Sequence, residues 1–300
     1  MPSQYFQLDC TKADEIVAVS NGTSLSNFMP KVGSVKILQT SKTSLSLQAS
    51  VNFTNPTEYA AEVGYFNIHI LSNGSIIGDA TARNIYVRPG NNTNLVVEAT
   101  WDPSGFGGTK GAAIGTELLS QYISGYNTTI TFQVHEKSVP NEPNIGKALK
   151  SFKIEIPTPR LSTPKNGNGG DDDVDDEDKP HFIDDATFHL LSSTAQFTLL
   201  SPLQYSTLYI EDINATAFYN HTEPVGRINY DLPFKVPPGA SQSPKLPVEW
   251  SLDSVGYEAL KNALGGTLKL DAKGTVGIRL GEWTERVWYT GSGIGANIRF

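Results

Sequence analysis

Cysteine is almost absent from this 300-residue chain: Cys10 stands alone, so there is no intrachain disulfide and the fold rests on burial and hydrogen bonding. No run of 18 apolar residues occurs, which leaves no helical membrane span. Met1-Pro2-Ser3-Gln4-Tyr5-Phe6 lacks the basic and apolar regions of a signal peptide. Positive charge is scarce too, with 23 Lys and Arg against 31 Asp and Glu. Seven of those acids lie in Asp171–Asp178, and without them the balance of 23 to 24 is close to neutral. A chain with no basic stripe offers nothing to phosphate, so nucleic acid is excluded as a partner.

Chemistry-bearing patterns are equally thin. His69, His135, His181, His189 and His221 include no pair at helical metal-ligand spacing and have no cysteine partners. His69 alternates with Ile68 and Ile70 and reads as an outward strand residue. Gly291-Ser292-Gly293-Ile294-Gly295 is one residue short of the dinucleotide fingerprint and opens no helix. Gly105-Phe106-Gly107-Gly108-Thr109-Lys110 reverses the end of a phosphate loop and reads as a turn. There is no Gly-x-Ser-x-Gly elbow, and spacing does not single out Glu249, Glu258 or Glu282 as a hydrolytic pair. The acid run lacks the spaced ligands and turn glycine of a calcium loop. The expectation is a protein with no catalytic residue, no metal and no cofactor.

What is present is a repeat. Asn55-Pro56 answers to Ser201-Pro202, and Ile77-Gly78 to Val225-Gly226. Arg88-Pro89-Gly90 answers to Pro237-Pro238-Gly239, and Asn94–Glu98 to Lys245–Glu249. A period of about 150 residues is that of a domain rather than of a solenoid unit. With 26 Ser, 26 Thr and 27 Gly, the chain suits many short strands and turns. The reading is a lead-in segment at 1–31, a first module at 32–157, an acidic Gly/Pro linker at 158–180 and a second module at 181–300.

Alternation predicts strands at 33–40, 44–54, 63–71, 75–88, 93–101, 127–136 and 149–156 in the first module. The second is expected to hold strands at 186–200, 206–219, 225–236, 245–252, 267–280 and 284–299. One short helix is expected in each, at 110–124 before Gly125 and at 253–264 before Gly265-Gly266. The fold class is therefore all-β with one short helix per module, as two tandem immunoglobulin- or fibronectin-like antiparallel β-sandwiches without the immunoglobulin cysteine pair.

Asparagine-linked glycosylation acceptors occur at Asn21, Asn52, Asn73, Asn91, Asn127, Asn214 and Asn220. Chance gives roughly three in a chain of this composition. Their turn-like or polar-phase positions add weight to a lumenal or extracellular location. On that reading the entry signal lies upstream, in a longer membrane-anchored form.

The wording of the chain carries a resemblance. HFIDDATFHLLSSTAQFTLLSPLQ, INATAFYNHTEPVGRINYDLPFKVPPG and GYEALKNALGGTLKLDAKGTVGIRLGEW in the second half, with VNFTNPTEY and IIGDATARNIYVRPGNNT in the first, resemble lumenal repeats of a fungal vacuolar-membrane protein family. The domains of that family belong to the late-embryogenesis-abundant group-two superfamily. The resemblance implies a non-enzymatic region in the vacuole lumen, tethered to the vacuolar membrane by a helix that this chain does not contain. It also implies a connection with autophagy, to whose termination a yeast relative is linked. Two roles follow: a partner-binding ectodomain, or a lipid-binding or lipid-transfer module that holds an acyl chain between its sheets. For the second role the candidate lining residues are Phe53, Tyr65, Phe66, Tyr209, Phe218, Tyr219 and Trp250.

Overall fold

The computed structural model describes residues 30–158, 182–251 and 268–299. Cys10, Asn21, the acid run and the helix expected at 253–264 lie outside those residues. The chain divides into two compact units, the first built from Ser44–Ile114 and Thr129–Pro157 with the residues up to Gln39. The second takes Thr40–Thr43, Gly115–Thr128 and the chain from Thr158 onward.

The first unit is a seven-stranded sheet. In chain order its strands are β1 (Lys31–Thr40), β2 (Leu45–Asn55), β3 (Ala61–Ser72), β4 (Ser75–Val87), β5 (Gly90–Trp101), β6 (Thr129–Gln133) and β7 (Lys153–Pro157). Across the sheet they run β1-β2-β5-β4-β3-β6-β7. The pairings from β2 to β7 are antiparallel. Asn73 and Gly74, both at positive φ (46° and 74°), make the two-residue turn that joins β3 to β4 with the twist a hairpin needs. Ile77, with no exposed surface, is the most buried side chain here, and full burial of such a group contributes roughly 1.5–3 kcal/mol.

Two helices accompany this part of the chain. Helix α1 (Pro103–Ile123) starts seven residues before the predicted one, because Asp102 caps it. The Asp102 carboxylate accepts the Gly105 N–H at 2.9 Å, and Pro103 occupies the first helical position. A break at Gly108 (φ 59°) separates this opening turn from the stretch predicted to be helical. Gly125 (φ 79°) ends the helix, as expected. Helix α2 (Pro143–Leu149) is not among the expected elements, and the strand expected at 149–156 begins only at Lys153, after the helix and a turn.

The second unit carries a ten-stranded sheet. Its strands are β8 (Ile183–His189), β9 (Thr194–Ser201), β10 (Leu208–Tyr219), β11 (Glu223–Tyr230), β12 (Phe234–Val236), β13 (Gly239–Gln242), β14 (Leu246–Pro247), β15 (Glu249–Trp250), β16 (Lys269–Leu280) and β17 (Trp283–Arg299). The order is β13-β9-β8-β17-β16-β10-β11-β15, with β12 on β10 and β14 on β9. Ile210, Val236, Leu246 and Val287 are fully buried at its core.

The paired landmarks meet equivalent partners. Gly90 pairs with Asn55 and Gly239 with Ser201, and both glycines begin a strand at nearly the same positive φ (78° and 80°). Gly78 pairs with Trp101 and Gly226 with Trp250, so this second pair of landmarks meets the equivalent strand, two residues out of step with the match of Glu98 to Glu249. The repeat read from the sequence is thus also a repeat of cross-strand neighbours.

Connectivity departs from a pair of facing sheets. In each unit the ladder is one continuous path, curled into a half-barrel. Bulges at Val51/Phe53, Ile70/Leu71, Ile210/Asp212, Ala217/Phe218 and Leu270/Ala272 bend the strands and add local twist. In the second unit, β17 pairs with β8 in parallel. The strand that is unbroken in the first unit as β5 is cut there into β13, β14 and β15. The first two pieces pair with β9 and the last with β11, so one stretch of chain joins the two ends of the curled sheet.

Beyond the reach of β8, which covers β17 only from Gly295 to Arg299, the second unit guards its sheet with hydroxyls. The Trp288 N–H donates to Ser120 Oγ at 3.1 Å, and the Thr290 N–H to Ser124 Oγ at 3.0 Å. Two residues of strand rise about 6.8 Å and four of helix about 6 Å, so the two rows stay in step. Ser120, fully buried, also donates its hydroxyl proton to the Thr116 carbonyl at 2.7 Å. Glu117 accepts the Trp288 indole N–H at 2.9 Å. Replacing Ser120 with Ala leaves the Trp288 amide without its acceptor, and we expect a loss of about 1–3 kcal/mol in urea unfolding. A change within experimental error would show that water takes over the bond.

Candidate functional site

Cross-strand pairing lays a polar row across the first sheet. Tyr65 faces Arg83, Asn67 faces Thr81 and His69 faces Asp79, so these six side chains share one surface. Phe66, Ile68 and Ile70 point to the other. After β6 the chain bends back over the polar surface and encloses an open pocket of about 480 Å³. Tyr65, Asn67 and Asp79 line it from the sheet, and His135, Glu136, Lys137, Pro140 and Pro143 line it from the returning segment.

Asn67, almost fully buried, organises the pocket. Its Nδ2 donates to Asp79 Oδ2 and to Thr81 Oγ1, each at 2.9 Å, and its backbone N–H donates to the Ser138 carbonyl at 3.0 Å. A carboxylate can only accept, so the amide nitrogen must face Asp79 and the amide oxygen must face His135. His135 Nε2 therefore carries a proton and donates it to Asn67 Oδ1 at 2.7 Å. That choice leaves Nδ1 unprotonated, and it accepts the Lys137 N–H at 3.2 Å. Ser138, fully buried, accepts the His135 N–H on its hydroxyl at 2.8 Å.

The His135 ring lies flat on that of His69, with centroids 4.0 Å apart and 15° between planes. Burial lowers the pKa of His69 from its ordinary value, opposed by the Asp79 carboxylate. Burial also lowers that of His135, followed by the neighbouring His69. Asp79 opposes this shift, and Lys137 adds to it. Both shifts favour the neutral rings. Among the described residues, no group of three or more His, Cys, Asp and Glu side chains is placed to hold a metal. His69, read as an outward strand residue, does lie on the polar face. Its partner, remote in sequence, was invisible because stacking follows no spacing rule.

Several of the aromatic candidates carry cations. The Tyr65 ring lies under Arg83 at 4.9 Å, Tyr209 under Arg279 at 4.3 Å and Phe218 under Lys273 at 5.6 Å. Arg279 also binds Glu211 at 2.5 Å, and Arg286 forks onto both oxygens of Asp212 at 2.7 Å. Gly277, between Asp212 and Arg286 in the ladder, leaves room for that fork. Trp250 meets Phe188 edge-on at 5.2 Å. Phe66 faces away from the pocket, and Phe53 and Tyr219 are half-buried in β2 and β10.

Of the glycosylation candidates, Asn73, Asn91, Asn127, Asn214 and Asn220 are exposed. Asn73 sits at a hairpin tip and Asn220 in the β10–β11 turn, each at φ 46°. Asn52 is half-buried, and its Oδ1 accepts the Asn94 N–H at 2.7 Å beside the β2 bulge. No helix among the described residues is long and apolar enough to cross a membrane.

Residues 28–147 match the family model described as the Tag1-like fourth LEA-2 like domain. Residues 175–288 match that of the Tag1-like fifth LEA-2 like domain. No curated protein matches the chain.

Asn67→Asp keeps the shape of the hub but turns two donors into acceptors beside Asp79. We expect a loss of about 3 kcal/mol at pH 8 in urea unfolding, relative to the parent. The deficit shrinks at pH 5, where one carboxyl takes up a proton and donates again. An equal deficit at both pH values would place the hub's role elsewhere.

Proposed function

The chain belongs to the Tag1-like family of LEA-2 like domains, and from that membership we propose that it is a non-enzymatic binding region, lumenal and tethered to the fungal vacuolar membrane, that presents its sheet faces to a protein partner in the regulation of autophagy. The observation that carries this reading is the pairing of half-exposed tyrosines with arginines in both units, Tyr65 with Arg83 and Tyr209 with Arg279. Tyrosine and arginine dominate the energetics of protein interfaces, because a flat ring and a planar cation bury much area at little entropic cost. The same stacking argues against the acyl-chain role for these rings. A ring face occupied by a guanidinium is a poor wall for hydrocarbon.

Five exposed acceptor asparagines support the lumenal location, since an oligosaccharide there meets no steric obstacle.

A photoreactive amino acid placed at Tyr65 or Tyr209 in the full-length membrane-anchored protein tests the reading in fungal cells. A discrete crosslinked species is expected from each position, lost on Arg83→Glu or Arg279→Glu respectively, and the protein should gain gel mobility on enzymatic deglycosylation. Crosslinks to lipid alone, with stoichiometric lipid in the purified protein, would replace the partner reading with the lipid-binding one. An unglycosylated protein that faces the cytosol would overturn the location.

A further inference from the structure

The returning segment over the first sheet is held by groups that require neutral histidine. His135 donates from Nε2 to Asn67 and accepts at Nδ1 from the Lys137 N–H, so both ring nitrogens are committed. A proton added at Nδ1 would point a donor at a donor and cancel the Lys137 bond. The neighbouring ring adds a second penalty. Two imidazolium rings stacked at 4.0 Å repel, and a half-buried site screens that repulsion less than bulk water does.

We propose that the His69–His135 stack is an acid-operated latch, which holds the segment from His135 to Pro143 on the sheet while both rings are neutral and releases it on proton uptake, reshaping the pocket.

The charges around the stack set its sense. On β4, Asp79 lies opposite His69 and favours a first proton. The segment itself contributes Glu136 and Lys137, with Glu136 engaged by Lys150 at 3.4 Å. Helix α2, packed through Gly146 on the Glu136 carbonyl, brings Lys147. In the same sheet row, β6 presents the neutral Gln133 and β7 presents Lys153 beyond it. On β5, Glu98 lies opposite Thr81, one pair away from Asp79. The nearest carboxylate thus softens the penalty on a first proton, while burial outweighs it at both rings and the neighbouring ring and Lys137 add to the penalty at His135.

The linkage has a definite sign. Both imidazoles bind protons less readily in the closed form than in an open one, where they titrate near 6.5. Closure is therefore fully stable above about pH 6.5 and weakens as the pH falls below it. Over that range the opening constant grows by up to about tenfold per pH unit for each proton taken up.

Amide hydrogen exchange of the full chain between pH 8 and pH 5, corrected for intrinsic exchange chemistry, tests the latch. The Asn67, Lys137 and Ser138 amides should lose protection progressively below pH 6.5, by up to about tenfold per unit for each proton taken up, while the Trp288 amide stays level. His69→Phe keeps a stacked ring without its charge and should reduce the dependence to a single proton. His135→Gln removes the other titrating ring and should reduce it likewise, and the double variant should flatten it. Protection independent of pH in the parent, or an unchanged dependence in His135→Gln, would overturn the proposal. Should a variant fail to fold, NMR titration of the two imidazoles in the parent decides. Both midpoints below 6.5 support the latch, and both at or above it refute it.

Discussion

A strand that slips by one residue turns every side chain to the opposite face, so this protein depends first on what pins its register. Three positive-φ glycines do so: Gly74 in the β3–β4 turn, and Gly90 and Gly239 at the start of the strands that meet Asn55 and Ser201. A side chain at such a φ is strained, so these positions tolerate little but glycine. From the register of β3 against β4 follows the polar row from Tyr65 to Asp79. From the row follows the pocket, since Asn67 can reach Asp79, Thr81 and His135 only when it shares their face. A slipped register would bury Arg83 and Asp79 against apolar neighbours and expose Ile68 and Ile70.

Much of this was legible in the residues. The landmarks of the repeat predicted equivalent positions, and the structure pairs Gly90 with Asn55 as it pairs Gly239 with Ser201. Alternation located most strands to within two or three residues, since a half-buried antiparallel strand writes its period directly into the chain. Breaks were harder. The strand expected at 186–200 is β8 and β9 with a turn at Leu190–Ser193, and the one expected at 225–236 is split by Asp231-Leu232-Pro233. Helix α2 hid behind Pro143 and Gly146, residues that count against a helix until one sees that the proline opens it and the glycine packs on Glu136. Sheet connectivity was not legible at all. Whether strands form two facing sheets or one curled path is decided by bulges and by a parallel pairing between residues more than a hundred positions apart, and neither has a local signature. The histidine stack escaped for the same reason.

The two units use one plan for different ends. In the first, a segment after β6 folds back to build a pocket whose side chains are tied through a single amide. In the second, the outer surface carries charge pairs instead, Arg279 with Glu211 and Arg286 with Asp212. Strand β5 is whole in one and cut into three in the other. Closure and surface thus diverge on a shared ladder.

The hydroxyls of Ser120 and Ser124 have a consequence for how the chain is made. They leave the ribosome more than a hundred and sixty residues ahead of the amides they serve, Trp288 and Thr290. During that interval Ser120 is not left wanting, because its hydroxyl proton is already donated to the carbonyl one turn back. The strand, by contrast, arrives with an open edge and must find the helix before another chain finds it. A fragment that begins after Pro157 would carry β17 without Gly115–Thr128, and would present to its neighbours the bare amides that the intact protein keeps covered.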